Sequence, residues 1–103
     1  MLKMTWTVYF STKAAKQVKK LHKINKNAVL SLQLLVEDLK AKGANPGHAW
    51  HNYGRLKGKK GIDRRHCHLL KGNPTYVCCW EVIDDEVKII EVYYAGTHEK
   101  APY

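Results

Sequence analysis

The sequence predicts an α+β domain in which a two-helix hairpin packs on a mostly antiparallel sheet of four to five strands, in the order β-α-α-β-β-β-β. Three observations predict it. Residues 1–43 hold one alternating segment followed by two stretches with apolar residues at helical spacing. The rest of the chain breaks into short β-rich runs separated by turn residues. A length of 103 residues, 45% of them apolar, is the size of a single domain with one core over residues 1–103.

Residues Thr5 to Phe10 alternate in character and are rich in β-branched and aromatic types, which marks a first strand. The opening MLKMTWTVYF has neither a continuous apolar run nor a small-residue cleavage site, so it reads as strand rather than signal peptide. Ser11 then offers an N-cap. From Ser11 to Leu21, Ala14, Val18 and Leu21 recur at helical spacing, with Lys13, Lys16, Lys19, Lys20 and Lys23 on the opposite arc. A polar break from His22 to Asn27 precedes a second helix, AVLSLQLLVEDLKAKG. There Val29, Leu32, Leu35, Val36 and Leu39 form one stripe with Leu30 and Leu34 beside it, and Gly43 is a natural stop. Helices so close in sequence form an antiparallel hairpin whose apolar faces need a sheet to cover.

Residues 43–51, GANPGHAWH, read as loop from their Gly, Pro and Asn content. Strands are expected at Ile62 to Leu70, Thr75 to Ile83 and Val87 to Ala95, separated by KGNP and DDE, after a shorter run around Tyr53 to Lys57. Connections this short favour antiparallel hairpins. The tail GTHEKAPY has too little apolar content for a further core element. With both helices on one side, the other sheet face is left uncovered, and polar and basic residues there mark it as the place for a binding site.

Eighteen Lys and Arg against nine Asp and Glu give a formal charge of +9. Such a field implies a polyanionic partner. Nucleic acid leads, because neutralising phosphates releases counterions and supplies sequence-independent affinity, while an acidic protein could use the same surface. No stretch approaches the roughly 18 consecutive apolar residues of a membrane span, so the expectation is a soluble protein with no membrane partner. The cysteines Cys67, Cys78 and Cys79 are odd in number and two are adjacent. That suits buried thiols in a reducing cytoplasm rather than a disulfide framework or a catalytic thiol.

In IDRRHCHLL the period of two sets Arg64, His66 and His68 on one face and Arg65, Cys67 and Leu69 on the other. Cys67 and Leu69 suit a core, so a cation and two titratable rings face solvent or ligand. A solvated face with surface histidines is the bland alternative, and the clustering argues against it. His98 lies just past the last strand, where an antiparallel return would bring it toward the same face. Tyr103 ends the chain, either tying the terminus down or meeting a substrate. A zinc reading of His66 and His68 meets the objection that Cys67 alternates away from them and that spaced ligand pairs are absent, so no metal and no cofactor is expected. Metal-free RNA cleavage needs a base for the 2′-OH proton, cations for the phosphorane charge and an acid for the leaving 5′-oxygen. Histidine, with an ordinary pKa of about 6.5, serves as either base or acid near neutrality. Arg55, Lys57, Lys59 and Lys60 in RLKGKK directly precede the histidine strand and, with Arg64, can grip phosphates, although such a run by itself is usually a solvated loop.

The succession RLKG, RRHCHLL, PTYVCCWEV and IIEVYYAGTHEKAPY, after a strand and the lysine-rich TKAAKQVKKL, resembles the RelE/ParE superfamily of type II toxin-antitoxin toxins. Within it the likeness is to the YafQ branch, in which an LKG is followed by an Arg-x-Cys-His strand and the chain ends in Gly-Ser/Thr-His and an aromatic. The resemblance spans nearly the whole chain apart from the loop 43–51, and it rests on order and spacing rather than on any one motif. It implies a ribosome-dependent endoribonuclease, an mRNA interferase acting in the cytoplasm, with mRNA, the ribosome and a cognate antitoxin protein as partners. It further implies His68 and His98 as general acid or base, Lys57 and Arg65 as RNA-contacting cations, and Tyr103 as the terminal aromatic. Two positions depart from the pattern: Thr75 stands where the branch has an acidic residue, and Gly54 stands where it has a histidine, which leaves His51 or His66 to complete the set.

The superfamily also holds ParE-type toxins, which share the fold, lack the nuclease residues and act on DNA gyrase. The histidines discriminate, since a gyrase poison has no use for His68 near His98. A third reading is an RNA-binding module without chemistry, with Tyr53, Tyr76 or Tyr93 stacking bases on the open sheet.

Overall fold

A computed structural model describes residues 5–58 and 60–103. Among them the order is β1 (Thr7–Phe10), α1 (Thr12–Ile24), α2 (Lys26–Lys42), β2 (Gly54–Arg55), β3 (Asp63–Leu70), β4 (Tyr76–Asp84), β5 (Ile89–Thr97) and a single 3-10 turn, His98–Lys100. The two helices cover one face of a sheet ordered β1-β5-β4-β3-β2, antiparallel except where β1 runs parallel to β5. The expected α+β architecture is present.

Ser11 starts α1 as its N-cap, its hydroxyl accepting the Ala14 N–H at 3.0 Å. The polar break expected over His22 to Asn27 shrinks to one residue. Asn25, extended, donates its N–H to the Leu21 carbonyl and accepts the Ala28 N–H on its side chain at 3.1 Å, so it ends one helix and starts the next. His22, Lys23, Lys26 and Asn27 are helical residues on the exposed side. Their polarity reflects solvent contact, which in sequence looks the same as a loop. At the far end of α2, Gly43 donates to the Leu39 carbonyl with φ +89°, and a Cβ there would lie 2.7 Å from the Trp6 indole nitrogen. Backbone and packing both require glycine.

The main core lies between the helices and the sheet, where Leu32, Leu35 and Leu39 meet Cys67, Cys78, Trp80, Ile90 and Val92. Each of those leucines contributes roughly 1.5–3 kcal/mol by leaving water. Trp80 is fully buried and donates its indole N–H to the Ala44 carbonyl at 3.2 Å. Leu30 and Leu34, beside the stripe in sequence, are exposed.

Two features re-aim the other face. Cys79 pairs with Tyr94 while Trp80 pairs with Val92, so Tyr93 is a bulged extra residue, and both tyrosines pack with Val77 and Cys79 on the side away from the helices. Strand β5 also runs two residues past the expected Ala95, and the tail then folds back, with Ala101 packing on that second small cluster. The tail adds no fully buried core residue, as expected, but the expectation of an uncovered sheet face is corrected, since Ala101 packs on it. One alanine suffices because Val77, Cys79 and Tyr94 already form an apolar floor. No helix among the described residues is long and apolar enough to cross a membrane.

Candidate active site

Strand alternation on β3 sets Arg64, His66 and His68 opposite Glu81, Cys79 and Val77 of β4 on the face away from the helices. Strand β5, the neighbour of β4, delivers His98 at its end, where the His98 N–H bonds the Thr75 carbonyl at 2.8 Å. The returning tail lays Tyr103 over His66. Ring centroids are 4.7 Å apart for His66 and Tyr103, 5.6 Å for His68 and His98, and 5.8 Å for His98 and Tyr103, the last two edge-on. Three histidines and the terminal tyrosine thus form one patch although they span 38 positions from 66 to 103.

The segment before β2 supports the patch. The His51 carbonyl accepts the His68 N–H at 2.8 Å, and Asn52 Nδ2 lies 3.1 Å from His68 Nε2. A Cβ on Gly54 would sit 3.5 Å from His66 Nε2. Of the two histidines that could complete the set, His66 touches Tyr103 with its ring, whereas His51 has an exposed ring and reaches His68 through its backbone.

Burial lowers the His66 pKa below the ordinary histidine value, with the charges of His68 and His98 adding to the effect. His68 is lowered by burial and by His98, His51 and Lys71. Both rings therefore favour the neutral form near pH 7. His66 Nδ1 is buried with no hydrogen-bond partner. Burial raises the Tyr103 phenol, which stays protonated. It also pushes the Cys67 and Cys79 thiols up to about 12 and Cys78 well above its usual value. Such thiols are poor nucleophiles. Cys67 packs in the helix-side core, away from its flanking histidines.

The basic residues divide by face. Lys57, Arg64, Tyr93 and Tyr103 line one pocket of about 360 Å³. Arg64 donates to Glu81 at 2.8 Å and lies over the Tyr93 ring at 4.7 Å. Arg65 points the other way, its guanidinium held by both Asp63 carboxylate oxygens at 2.9 and 2.8 Å and by the Tyr53 hydroxyl at 2.7 Å. Arg55, its register partner on β2, pairs with the same carboxylate at 3.4 Å. Arg65 is thus turned away from the histidines by strand alternation, and a bidentate carboxylate occupies its fork. The Arg65 hydrogen bond in turn holds the Asp63 carboxyl below the usual range. Lys60 is exposed in the turn before β3, and Lys59 lies outside the described residues. Asn52 and Glu81 carried no signal in the sequence, since an asparagine in a polar loop and an acid on a strand are ordinary, and only the register gives them partners.

The stacking platform considered for a plain RNA-binding module is not formed. Tyr76 is buried in the helix-side core and Tyr53 stacks on Trp80, centroids 6.1 Å apart, which leaves only Tyr93 of the three on the far face, beneath Arg64. A cleft of about 500 Å³ opens beside the histidines, between Asn52, His68, Thr75, His98 and Glu99. A larger groove of about 920 Å³ between α1 and β5 adjoins it without any histidine, rimmed by Lys13, Lys20 and Lys100 over Leu21, Tyr76 and Tyr94. Titratable rings converge at the smaller cleft and not at the larger groove.

No protein-family model and no curated protein matches the sequence. The chain is similar in structure to a YoeB dimer from Staphylococcus aureus, with a TM-score of 0.70 over 90% of this chain and 97% of that one at 16% identity. The two proteins share a fold of two helices on a five-stranded mixed sheet in the order β-α-α-β-β-β-β.

Proposed function

We propose that the protein is the toxin of a type II toxin-antitoxin pair in the RelE/ParE superfamily, a metal-independent endoribonuclease that cuts mRNA on the ribosome. The observation that carries this reading is the gathering of His66, His68, His98 and Tyr103 on one sheet face of a protein with a formal charge of +9. The fold shared with the YoeB structure supports it, as do the LKG and Gly-Thr-His motifs of the YafQ-like resemblance.

In this reading neutral His68 takes the proton from a 2′-OH, and the 2′-oxygen bonds to phosphorus. The bond from phosphorus to the 5′-oxygen breaks, and His98 as general acid gives that oxygen a proton. The products are a 2′,3′-cyclic phosphate and a 5′-hydroxyl. His66 and Tyr103, whose rings pack together on that face, position the nucleotide, while Lys57 and Arg64 from the adjoining pocket face the phosphate charge. Arg65 and its register partner Arg55 lie on the sheet face away from the histidines and are left out of the contact set. The antitoxin would offer an acidic, amphipathic segment to the lysine-rimmed groove between α1 and β5.

The test adds the protein, and His68→Ala and His98→Ala versions, to a labelled mRNA with and without translating ribosomes. Expected are cuts on ribosome-bound message that leave a 2′,3′-cyclic phosphate and slow by about 10²–10⁴-fold in either variant. If no version cuts under any condition, the nuclease reading fails, and inhibition of DNA gyrase is then the activity to assay.

A further inference from the structure

Neutral imidazole has one donor and one acceptor nitrogen, and the tautomer it takes is set by what each nitrogen meets. His68 is expected to sample both forms if nothing selects between them. One neighbour is placed to select. Asn52 sits at the lip of the His68–His98 cleft with φ +51°, a left-handed conformation that asparagine tolerates better than most residues, and its side-chain amide lies 3.1 Å from His68 Nε2. The preceding residue is fastened to the same strand position through the His51 carbonyl and the His68 N–H at 2.8 Å, so the amide is delivered by a fixed piece of backbone rather than by a loose loop.

We propose that Asn52 is a positioning residue for His68, donating its amide N–H to Nε2 and so holding the neutral ring in one orientation with its proton on Nδ1. The proposal deepens the reading of His68 as a proton-transfer group and rests on it for its functional meaning. An amide suits this place because it carries both a donor and an acceptor. In this arrangement the incoming 2′-OH displaces the amide N–H from the Nε2 lone pair, and once Nε2 has taken the proton a half-turn of the amide presents Oδ1 to accept it, so Asn52 can serve both states of the ring. A carboxylate would serve only the protonated one. The other charged or titratable groups near His68 are His66 on the same face of β3, His98 and Glu99 from the turn after β5, His51 beside Asn52, and Lys71 after β3. Glu99 is the one acid among them.

The experiment records side-chain ¹⁵N and ¹³C spectra of His68 across a pH titration in the whole protein and in Asn52→Ala and Asn52→Asp versions, with backbone amide spectra checking that each is folded. In the original protein neutral His68 is expected almost wholly as the Nδ1–H tautomer. Asn52→Ala should give a mixture of tautomers, and Asn52→Asp should raise the His68 midpoint by about one pH unit, because a carboxylate favours the imidazolium. On ribosome-bound message Asn52→Ala should lower kcat about tenfold with KM within about twofold, as loss of a group acting on His68 rather than on RNA. Unchanged tautomer ratio and midpoint in both folded variants would overturn the proposal. If no version cleaves RNA, the nuclease reading falls while the spectra still decide the role of Asn52.

Discussion

Arg64 and Arg65 are adjacent and chemically identical, yet one lies over Tyr93 beside the histidine patch and the other is locked to Asp63 and Tyr53 on the far side of the sheet. Alternation decides which is which, and the sequence already disclosed that split. What it did not disclose is that a carboxylate two residues back would take the second arginine. The same local environment sets the acid-base behaviour of His66 and His68, whose pKa values are lowered chiefly by burial. The base form therefore persists below the ordinary histidine midpoint of about 6.5, and the acid limb of the proposed RNA cleavage should fall below that pH. Stability follows the same sign. The unfolded chain binds protons at these positions at a higher pH than the folded one, so the stabilisation is present above about pH 6.5 and is lost as pH falls through the lowered folded values. Melting temperatures recorded from neutral pH downward should drop in the original protein and drop less in His66→Phe. Equal slopes would show that His66 titrates in the fold as it does in the unfolded chain.

Among the elements, the helix hairpin shows how far pattern alone carries. Both helices and their buried stripes were legible from apolar spacing, because a helix against a sheet buries one face with a period of 3.6. The join was not, since exposed helical positions and loops are equally polar. Asn25 marks the true boundary by serving both helices at once, one through its backbone and one through its side chain. Replacing it with alanine keeps the backbone bond to Leu21 and loses the cap of α2, at a cost of about 1–2 kcal/mol. A fall in melting temperature of roughly 5–10 °C is expected, with helix content retained in circular dichroism below the transition. No change would mean that the Ala28 N–H finds water as readily as it finds Asn25. Strands β3 and β4 were legible to within a residue at each end. The bulge at Tyr93 was not, because an inserted residue leaves no trace in composition; it turns Tyr93 and Tyr94 onto one face and so builds the floor on which the tail rests.

For the whole molecule, the formal charge of +9 is spread over a lysine face on α1, the groove between α1 and β5, and the pocket holding Lys57 and Arg64. If RNA is the partner, its binding should weaken steeply with salt. Neutralising even about three phosphates of a single strand predicts a loss of roughly tenfold or more in affinity between about 50 and about 200 mM salt. Binding of a short labelled RNA followed by anisotropy measures this, and a flat salt response would count against a phosphate-gripping surface. By itself the sequence determined the kinds and order of elements, the lysine face of α1 and the strand face on which Arg64, His66 and His68 lie, because each is written in a local period of the backbone. Only the tertiary structure decided that His98 and Tyr103 join them. That depends on the strand order β1-β5-β4-β3-β2, on register and on a bulge, which are set by burial summed over the whole core, and a slip of one residue would send every side chain of a strand to the opposite face.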